Sequence, residues 1–461
     1  MHYLILTIIV FVSLIDQLAT DHILPRPLAF VPELLSLVIV LYVVIAGTRQ
    51  RFQYVRGQYW LTFGAIAAVI LCGALVNDVA PGPLIAGMRY YLRAMPLFLL
   101  PAVYEFKETQ IRQQLRLLLI VGVLQMPIAI YQRMIVMRGH RFTGDPVFGT
   151  LLDSSVLSIY LICAVCVLTG MLLRQRISKT IYFFLFFYLL AATSINETKG
   201  TLILLPIGLV ATVLIGSPPA KRLRLAVLTV GLFAIFVTGF AVVYDYVQNV
   251  RTNHFYTSLG KFFLDEKQLD RYVDTHSGLG AARQVGRVDA IVVPLRVLSR
   301  DPAQLAFGFG IGNASHSSLG AQFVGEHYPV FHAFLVSSFS VFLLEIGVLG
   351  TALVFLLYWL IFRDAIALAR VDDSLIGWIA VGWAGIVVLT VFATPYKTIH
   401  TFASLSYLFW YLSGLVAAQR MRVALGVRSQ SIAMADAAPI YAPIAARARE
   451  APAHANFRTA R

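Results

Sequence analysis

Arginine and histidine side chains concentrate in one polar stretch, residues 245–332, which interrupts an otherwise apolar sequence. A guanidinium group binds phosphate oxygens through paired hydrogen bonds, and a neutral imidazole can accept a proton near neutral pH. A stretch that is rich in both is typical of a site that holds an anionic headgroup and moves a proton beside it. The stretch contains Arg271, His276, Arg283, Arg287, Arg296, Arg300, His316, His327 and His332.

Arg283 and Arg287 are four residues apart, and this spacing places both side chains on one face of an α-helix. An apolar stripe with helical spacing predicts such a helix over residues 279–300, which Pro294 would kink or break. The pair could form a two-arginine clamp for phosphate oxygens. The alternative interpretation is a solvated helix face.

A second pair with the same spacing, Arg89 and Arg93, lies inside an apolar segment. Charged side chains in such a segment usually face a cavity or a partner, but near the end of a span they can also snorkel to the membrane surface. Both interpretations of this pair remain open from the sequence.

Lys199 and three histidines are the other candidate ligands and bases. Lys199 lies in a turn between two apolar segments, where it could contact the same anion or pair with Glu197. His332 is the best-placed candidate base because the polar stretch ends there and the next apolar segment begins. His316 and His327 are further candidates, and each histidine taken singly is more typical of a surface side chain.

No cofactor or metal is predicted. No group of His, Cys, Asp and Glu has the spacing of a structural zinc site. A divalent-metal site is conceivable where four acidic residues could meet, although their pattern favours a solvated face. These residues are Asp265, Glu266, Asp270 and Asp274.

The elements that must position these side chains are membrane helices. Hydrophobic residues make up 59% of the 461 residues and charged residues only 13%, against about 25% in soluble domains. Repeated apolar segments of about 20 residues can each cross a hydrocarbon core of about 30 Å. Most lysines and arginines of the net charge of +14 lie in short loops, which indicates membrane topology rather than nucleic-acid binding.

The sequence therefore predicts an all-α polytopic membrane protein with about twelve transmembrane helices. The large, partly helical loop lies between the ninth and tenth spans. Basic residues in alternate loops put both termini in the cytoplasm and the large loop on the far side of the membrane. Arg133, Arg138 and Arg141 fall on the far side against this rule, so they are candidates for binding. The predicted spans are 3–19, 28–47, 59–79, 84–104, 114–132, 151–173, 180–196, 200–216, 225–244, 333–362, 375–393 and 401–418.

Four regions follow from this pattern. Residues 1–244 form the N-terminal membrane helices, 245–332 the large loop and 333–425 the C-terminal membrane helices. Residues 426–461 are rich in Ala, Pro and Arg and predict a disordered cytoplasmic tail.

Three short motifs occur in order along the chain. They are Arg141-Phe142-Thr143-Gly144-Asp145-Pro146, then Arg287 with Asp301-Pro302 and Gly308-Phe309-Gly310, and then Glu345-Ile346-Gly347-Val348-Leu349-Gly350. Together with the hydropathy profile up to about Gly414, they resemble the bacterial O-antigen ligase and O-antigen or exopolysaccharide polymerase superfamily.

Two positions depart from that family. It usually carries a histidine eleven residues before the position of Gly347, where this chain has Val336, and His332 lies one helical turn earlier. It also often carries arginine where this chain has Lys199, which keeps the charge but loses the bidentate fork.

The resemblance implies a metal-independent, inverting glycosyltransferase at the outer face of the bacterial inner membrane. Its donor would be a glycan on a polyprenyl diphosphate lipid, and other polysaccharide-assembly membrane proteins would be possible partners. His332 would accept the proton of the acceptor hydroxyl, and Arg287 and Arg283 would hold the diphosphate. Further substrate-binding residues would be Arg89, Arg93, Arg141, Lys199 and His327.

The expected activity is polymerisation of lipid-linked repeat units into surface polysaccharide. A ligase that moves the glycan to a lipid core is the alternative within the class. It is less favoured because the histidine that this chain lacks at Val336 belongs to the pattern that ligases keep best. A transporter or flippase of the same lipid-linked glycan, and a non-catalytic assembly partner, are the alternatives of other classes.

Overall fold

The computed structural model describes residues 1–50, 52–136, 147–250, 258–260 and 285–437. Helices account for 79% of the structure, and no strand occurs within these residues. The all-α prediction is therefore confirmed.

Eight helices in the described part of the chain are long and apolar enough to cross a membrane, which indicates a bilayer environment. Two further apolar helices, Lys179–Ile195 and Thr201–Gly216, are shorter than these. The eight are His2–Thr20, Arg26–Arg49, Gly57–Val76, Glu108–Val136, Ser154–Leu173, Pro219–Tyr246, Ser338–Val371 and Leu375–Ala393.

The α-helices are numbered here in chain order, apart from short 3-10 and π-helical turns. The first nine are α1 (His2–Val10), α2 (Asp16–Thr20), α3 (Val31–Gln50), α4 (Gly57–Val76), α5 (Pro81–Leu92), α6 (Pro96–Val103), α7 (Glu108–Tyr131), α8 (Ser154–Leu173) and α9 (Lys179–Ile195). The others are α10 (Thr201–Gly216), α11 (Arg222–Val250), α12 (Asp289–Leu298), α13 (Pro302–Phe307), α14 (Tyr328–Phe331), α15 (Ser338–Val371), α16 (Leu375–Ala393) and α17 (Ala403–Ala437).

The segment predicted as one span over 84–104 is divided in the structure. Helix α5 ends at Leu92 and α6 begins at Pro96. Proline lacks a backbone N–H and crowds the preceding turn, so a helix is interrupted before it. Helix α17 is longer than predicted at its C-terminal end. It continues to Ala437, into the region predicted as a disordered tail.

The helix predicted over 279–300 is shorter within the described residues. It begins at Asp289, runs through Pro294 and ends at Leu298. Arg287 lies in the turn before this helix, so the predicted helix is wrong at Arg287, and Arg283 lies outside the described residues. An acidic residue in the first turn favours a helix start at Asp289, and Gly286 disfavours an earlier one.

The helix ends collect at two ends of the bundle. At one end, Asn77 donates to Gly308 O (3.0 Å), Arg93 donates to Thr401 O, and Ser338 N donates to Lys397 O (3.0 Å). We call this the loop end, because residues 285–337 and 394–402 meet there. At the opposite end, Arg56 pairs with Asp364 (2.6 Å), and that carboxylate also accepts from Tyr59 Oη (3.0 Å).

Candidate functional site

A glycine-rich segment of the large loop, residues 306–315, enters the loop end of the bundle and packs against a break in α15. We call it the inserted segment. Helix α15 has non-helical backbone angles at Gly347 (φ 64°, ψ −168°). Phe309 N donates to Leu344 O (2.7 Å), and a Cβ added at Gly308 would lie 2.7 Å from Glu345 C and Gly347 N. The second and third sequence motifs are therefore in direct contact.

This contact holds Glu345 at the wall of a polar cavity. The Glu345 side chain is buried and faces the hydroxyl groups of Ser315 and Tyr91 and backbone N–H groups of the inserted segment. The cavity has a volume of about 210 Å³. It is lined by Tyr90, Tyr91, Ser315, His316, Leu335, Val341, Glu345, Thr398, His400 and Thr401.

His400 lines the same cavity, and its ring is fixed by α15. Its Nδ1 lies 2.7 Å from Ser338 Oγ, and its ring centroid lies 5.5 Å from that of Tyr91 and 4.7 Å from that of Phe342. Burial, followed by the positive charge of Arg93, lowers the pKa of His400 to about 3. The imidazole is therefore neutral at physiological pH.

The predicted clamp residue Arg287 contacts the backbone next to this cavity but does not line it. Its Nη1 donates to Val336 O (3.4 Å), and its guanidinium carbon is 5.8 Å from the ring centroid of Tyr396. Val336 directly follows Leu335, which lines the cavity. Arg287 and the polar cavity are therefore separated by little more than one stretch of backbone.

The turn that carries Lys199 packs against Tyr396, the residue that Arg287 also contacts. A Cβ added at Gly200 would clash with the Tyr396 hydroxyl, so that hydroxyl lies directly against the turn that carries Lys199. Lys199 Nζ is 5.2 Å from the ring centroid of Tyr244. Tyr396 thus contacts both Arg287 and the turn that carries Lys199, while the Lys199 ammonium group itself lies against Tyr244.

Arg89 and Arg93 share one carboxylate. Arg89 Nε pairs with Glu33 Oε2 (2.7 Å) and Arg93 Nη1 with Glu33 Oε1 (3.2 Å), and the side chains are only 10–19% exposed. Arg93 also donates to Thr401 O. Asp16 lies within electrostatic range of Arg93 and Glu33, so the group contains two basic and two acidic side chains. The side chains face Glu33 and the loop rather than snorkelling to the surface.

Of the three candidate histidines, His332 was expected to be the best-placed base, but it does not line the cavity. His332 is exposed, and its Nδ1 lies 3.0 Å from Pro329 O. His327 packs on Phe309, with ring centroids 4.3 Å apart, and so supports the inserted segment. Of the three, only His316 lines the polar cavity. His332 and His327 are thus not cavity-lining residues.

Glu197, considered from the sequence as a partner of Lys199, forms an ion pair with Arg133 (2.7 Å). Both side chains are buried, at 2% and 9% exposure, so this arginine has a structural partner inside the bundle. Arg138, Arg141 and Arg283 lie outside the described residues, as do the four acidic residues of the conceivable metal site. Within the described residues, no group of three or more His, Cys, Asp and Glu side chains is placed to hold a metal ion.

A larger, mainly apolar cavity of about 620 Å³ runs between the helices. Cavities of 300–1,000 Å³ are typical of ligand sites in proteins. Its wall includes Tyr90, Tyr91 and His400, which also line the polar cavity. Arg112 and Arg116, near the start of α7, line it as well. The apolar and polar cavities are thus neighbours that share three side chains.

No known family model matches this chain, and no curated protein matches it. The function is therefore argued from the geometry of the site together with the motifs in the sequence.

Sequence reasoning missed the segment 394–402, which lies between the two parts of the site. Its Tyr396 contacts Arg287, its Lys397 pairs with Asp153 (2.6 Å), and its His400 lines the cavity. The available signal was the polar run Thr394-Pro395-Tyr396-Lys397-Thr398 between two apolar helices. Glu345, a lone carboxylate in an apolar segment, carried a similar signal.

Proposed function

We propose that this protein is a membrane glycosyltransferase that joins glycan repeat units carried on polyprenyl diphosphate into a polysaccharide. The observation that carries this proposal is the contiguity of the apolar and polar cavities through Tyr90, Tyr91 and His400. A substrate with a long apolar chain and a hydroxyl-rich head needs one chamber of each kind. The resemblance of the three sequence motifs to O-antigen polymerases and ligases supports the same substrate class.

The diphosphate would be held by Arg287, with Lys199 supplied by the turn that packs against the Tyr396 hydroxyl. Arginine binds phosphate oxygens through two parallel hydrogen bonds, and lysine adds a compact positive charge. Negative charge grows on the diphosphate as the glycosidic bond breaks, so fixed cations stabilise the transition state more than the ground state. Arg89 and Arg93 lie at the same end of the bundle, where Glu33 holds both guanidinium groups in place. Arg283 and Arg141 complete the proposed set.

We place the loop end at the periplasmic face of the bacterial inner membrane, since the basic short loops belong to the opposite end. Transfer of the glycan to a lipid core, as in a ligase, uses the same donor chemistry and is the closest alternative. A transporter of the same lipid would need charges near the bilayer midplane and a path through the bundle. The concentration of candidate ligands at one end favours transfer over transport.

The test uses purified protein in nanodiscs and a synthetic polyprenyl diphosphate-linked repeat unit, with products measured by mass spectrometry. We expect the wild type to form dimers and longer oligomers, and Arg287→Ala to lower the rate by about 10²–10³-fold, the typical effect of removing one transition-state donor. Arg296→Ala is the matched control, because this exposed arginine lies on α12, outside the site. A wild type without product, or equal rates for the two variants, would contradict the proposal.

A further inference from the structure

Three buried polar atoms at the polar cavity retain hydrogen-bonding capacity. They are His400 Nε2, which has no partner, and Glu345 Oε1 and Tyr91 Oη, whose side chains lie beside each other. Buried polar atoms in folded proteins are almost always hydrogen-bonded, because an unmade bond leaves the cost of desolvation uncompensated. His400 Nε2 has no such bond, and the contact between Tyr91 and Glu345 leaves acceptor positions on the carboxylate unused, so the cavity offers positions for a polar group of a ligand.

The lining of the cavity defines the chemistry of that ligand. Among the residues that the structure describes, it contains a carboxylate, two phenols, hydroxyl groups and two imidazoles, of which that of His400 is neutral, but neither arginine nor lysine. With neither of these cations, and with Glu345 in its wall, the cavity disfavours a phosphate. A neutral ligand that both donates and accepts hydrogen bonds, such as a sugar, can satisfy all three atoms.

We propose that this cavity binds the acceptor glycan and that Glu345 Oε1 accepts the proton of the attacking hydroxyl. This inference rests on the proposed function and assigns the proton acceptor to Glu345 instead of the exposed His332. Arg287 donates to Val336 O, immediately after the cavity residue Leu335, so the donor diphosphate and the acceptor hydroxyl would lie next to each other. His400 and Tyr91 would orient the hydroxyl by hydrogen bonds.

The step is balanced without a cofactor. The acceptor oxygen forms a bond to the anomeric carbon of the donor from the side opposite the diphosphate. The bond from that carbon to the diphosphate oxygen breaks, and its electron pair leaves with the polyprenyl diphosphate. The hydroxyl proton passes to Glu345, which later releases it to water.

The obvious structural alternative is that Glu345 only anchors the inserted segment 306–315. The matched control is Asp364→Asn, which also removes a buried carboxylate from α15, at a position bonded to Arg56 and Tyr59. The experiment measures binding of polyprenyl diphosphate and transfer of the repeat unit for each variant in nanodiscs, expressed per folded protein.

We expect Glu345→Gln to bind polyprenyl diphosphate within about threefold of wild type but to transfer about 10²–10⁴-fold more slowly, as is typical for loss of a general base. Glu345→Asp should recover part of the rate, and Asp364→Asn and His332→Ala should keep it. Transfer by Glu345→Gln within about tenfold of wild type, or its loss in His332→Ala instead, would overturn the inference.

Tyr91→Phe is a second variant that tests the same inference if Glu345→Gln does not fold. It removes one hydroxyl from the cavity and should raise the KM for the acceptor about tenfold, the equivalent of one hydrogen bond, with donor binding unchanged. An unchanged acceptor KM would overturn the inference. Failure of the proposed function has a different signature, since the wild type itself would then neither bind the donor nor form product.

Discussion

Replacement of Gly347 by alanine should destabilise the protein and inactivate the site together. Gly347 has φ 64° and ψ −168°, a region of backbone space that is essentially restricted to glycine and costs other residues about 1–3 kcal/mol. An added Cβ would also lie 2.5 Å from Ala306 C and Gly308 N, and overpacking of this kind typically costs about 1–3 kcal/mol. The two penalties together predict a loss of about 2–6 kcal/mol.

The displaced atoms belong to the inserted segment that holds Ser315 beside Glu345, so transfer should fall with stability. The assay compares thermal unfolding and transfer of Gly347→Ala with those of Gly64→Ala in detergent. Gly64 lies in α4, and a Cβ added there meets nothing within 4 Å. Similar unfolding temperatures for the two variants would refute the account of the break in α15.

Two further predictions concern titratable side chains at the loop end, Glu33 and His400. Glu33→Gln should cost about 2–4 kcal/mol in thermal unfolding, because Arg89 and Arg93 lose the carboxylate that they share in a poorly exposed site. Glu108→Gln, from an exposed pair on α7, should cost less than about 1 kcal/mol, and equal losses would contradict this difference. The lowered pKa of His400 means that the unfolded chain binds a proton below about pH 6.5 and the folded protein does not until about pH 3. Stability should therefore fall by about 1.4 kcal/mol per pH unit as the pH drops below 6.5, and His400→Gln should remove this component in unfolding measured from pH 7 to pH 4.

The sequence was most informative about the helical class, because apolar segments of membrane length have few other interpretations. It was less informative about helix continuity. The division of 84–104 depends on Pro96, and the start of α12 at Asp289 depends on Gly286 and on the acidic residue of the first turn, all local signals that hydropathy averages out.

In the site, too, the sequence identified individual residues but not the contacts between residues far apart in the chain. Arg287 and Lys199 were identified from residue type, and the structure adds Tyr396, which contacts Arg287 and the turn that carries Lys199. The relation of Glu345 to His400 could not be read from the sequence, because it depends on how α15 and the segment 394–402 pack in three dimensions. His332 was chosen for its position along the chain, and its side chain lies on the exposed surface instead.

The most direct test of the central claim is the pattern of glycan chains on a gel from cells that lack this protein. The cells are complemented with wild type, Arg287→Ala or the control Arg296→Ala. We predict that wild type and Arg296→Ala restore a ladder of polymer lengths, whereas Arg287→Ala leaves single repeat units. An intact ladder in cells without the protein, with glycan retained on the polyprenyl carrier, would indicate a ligase. Repeat units trapped on the cytoplasmic side would contradict glycan transfer and indicate transport.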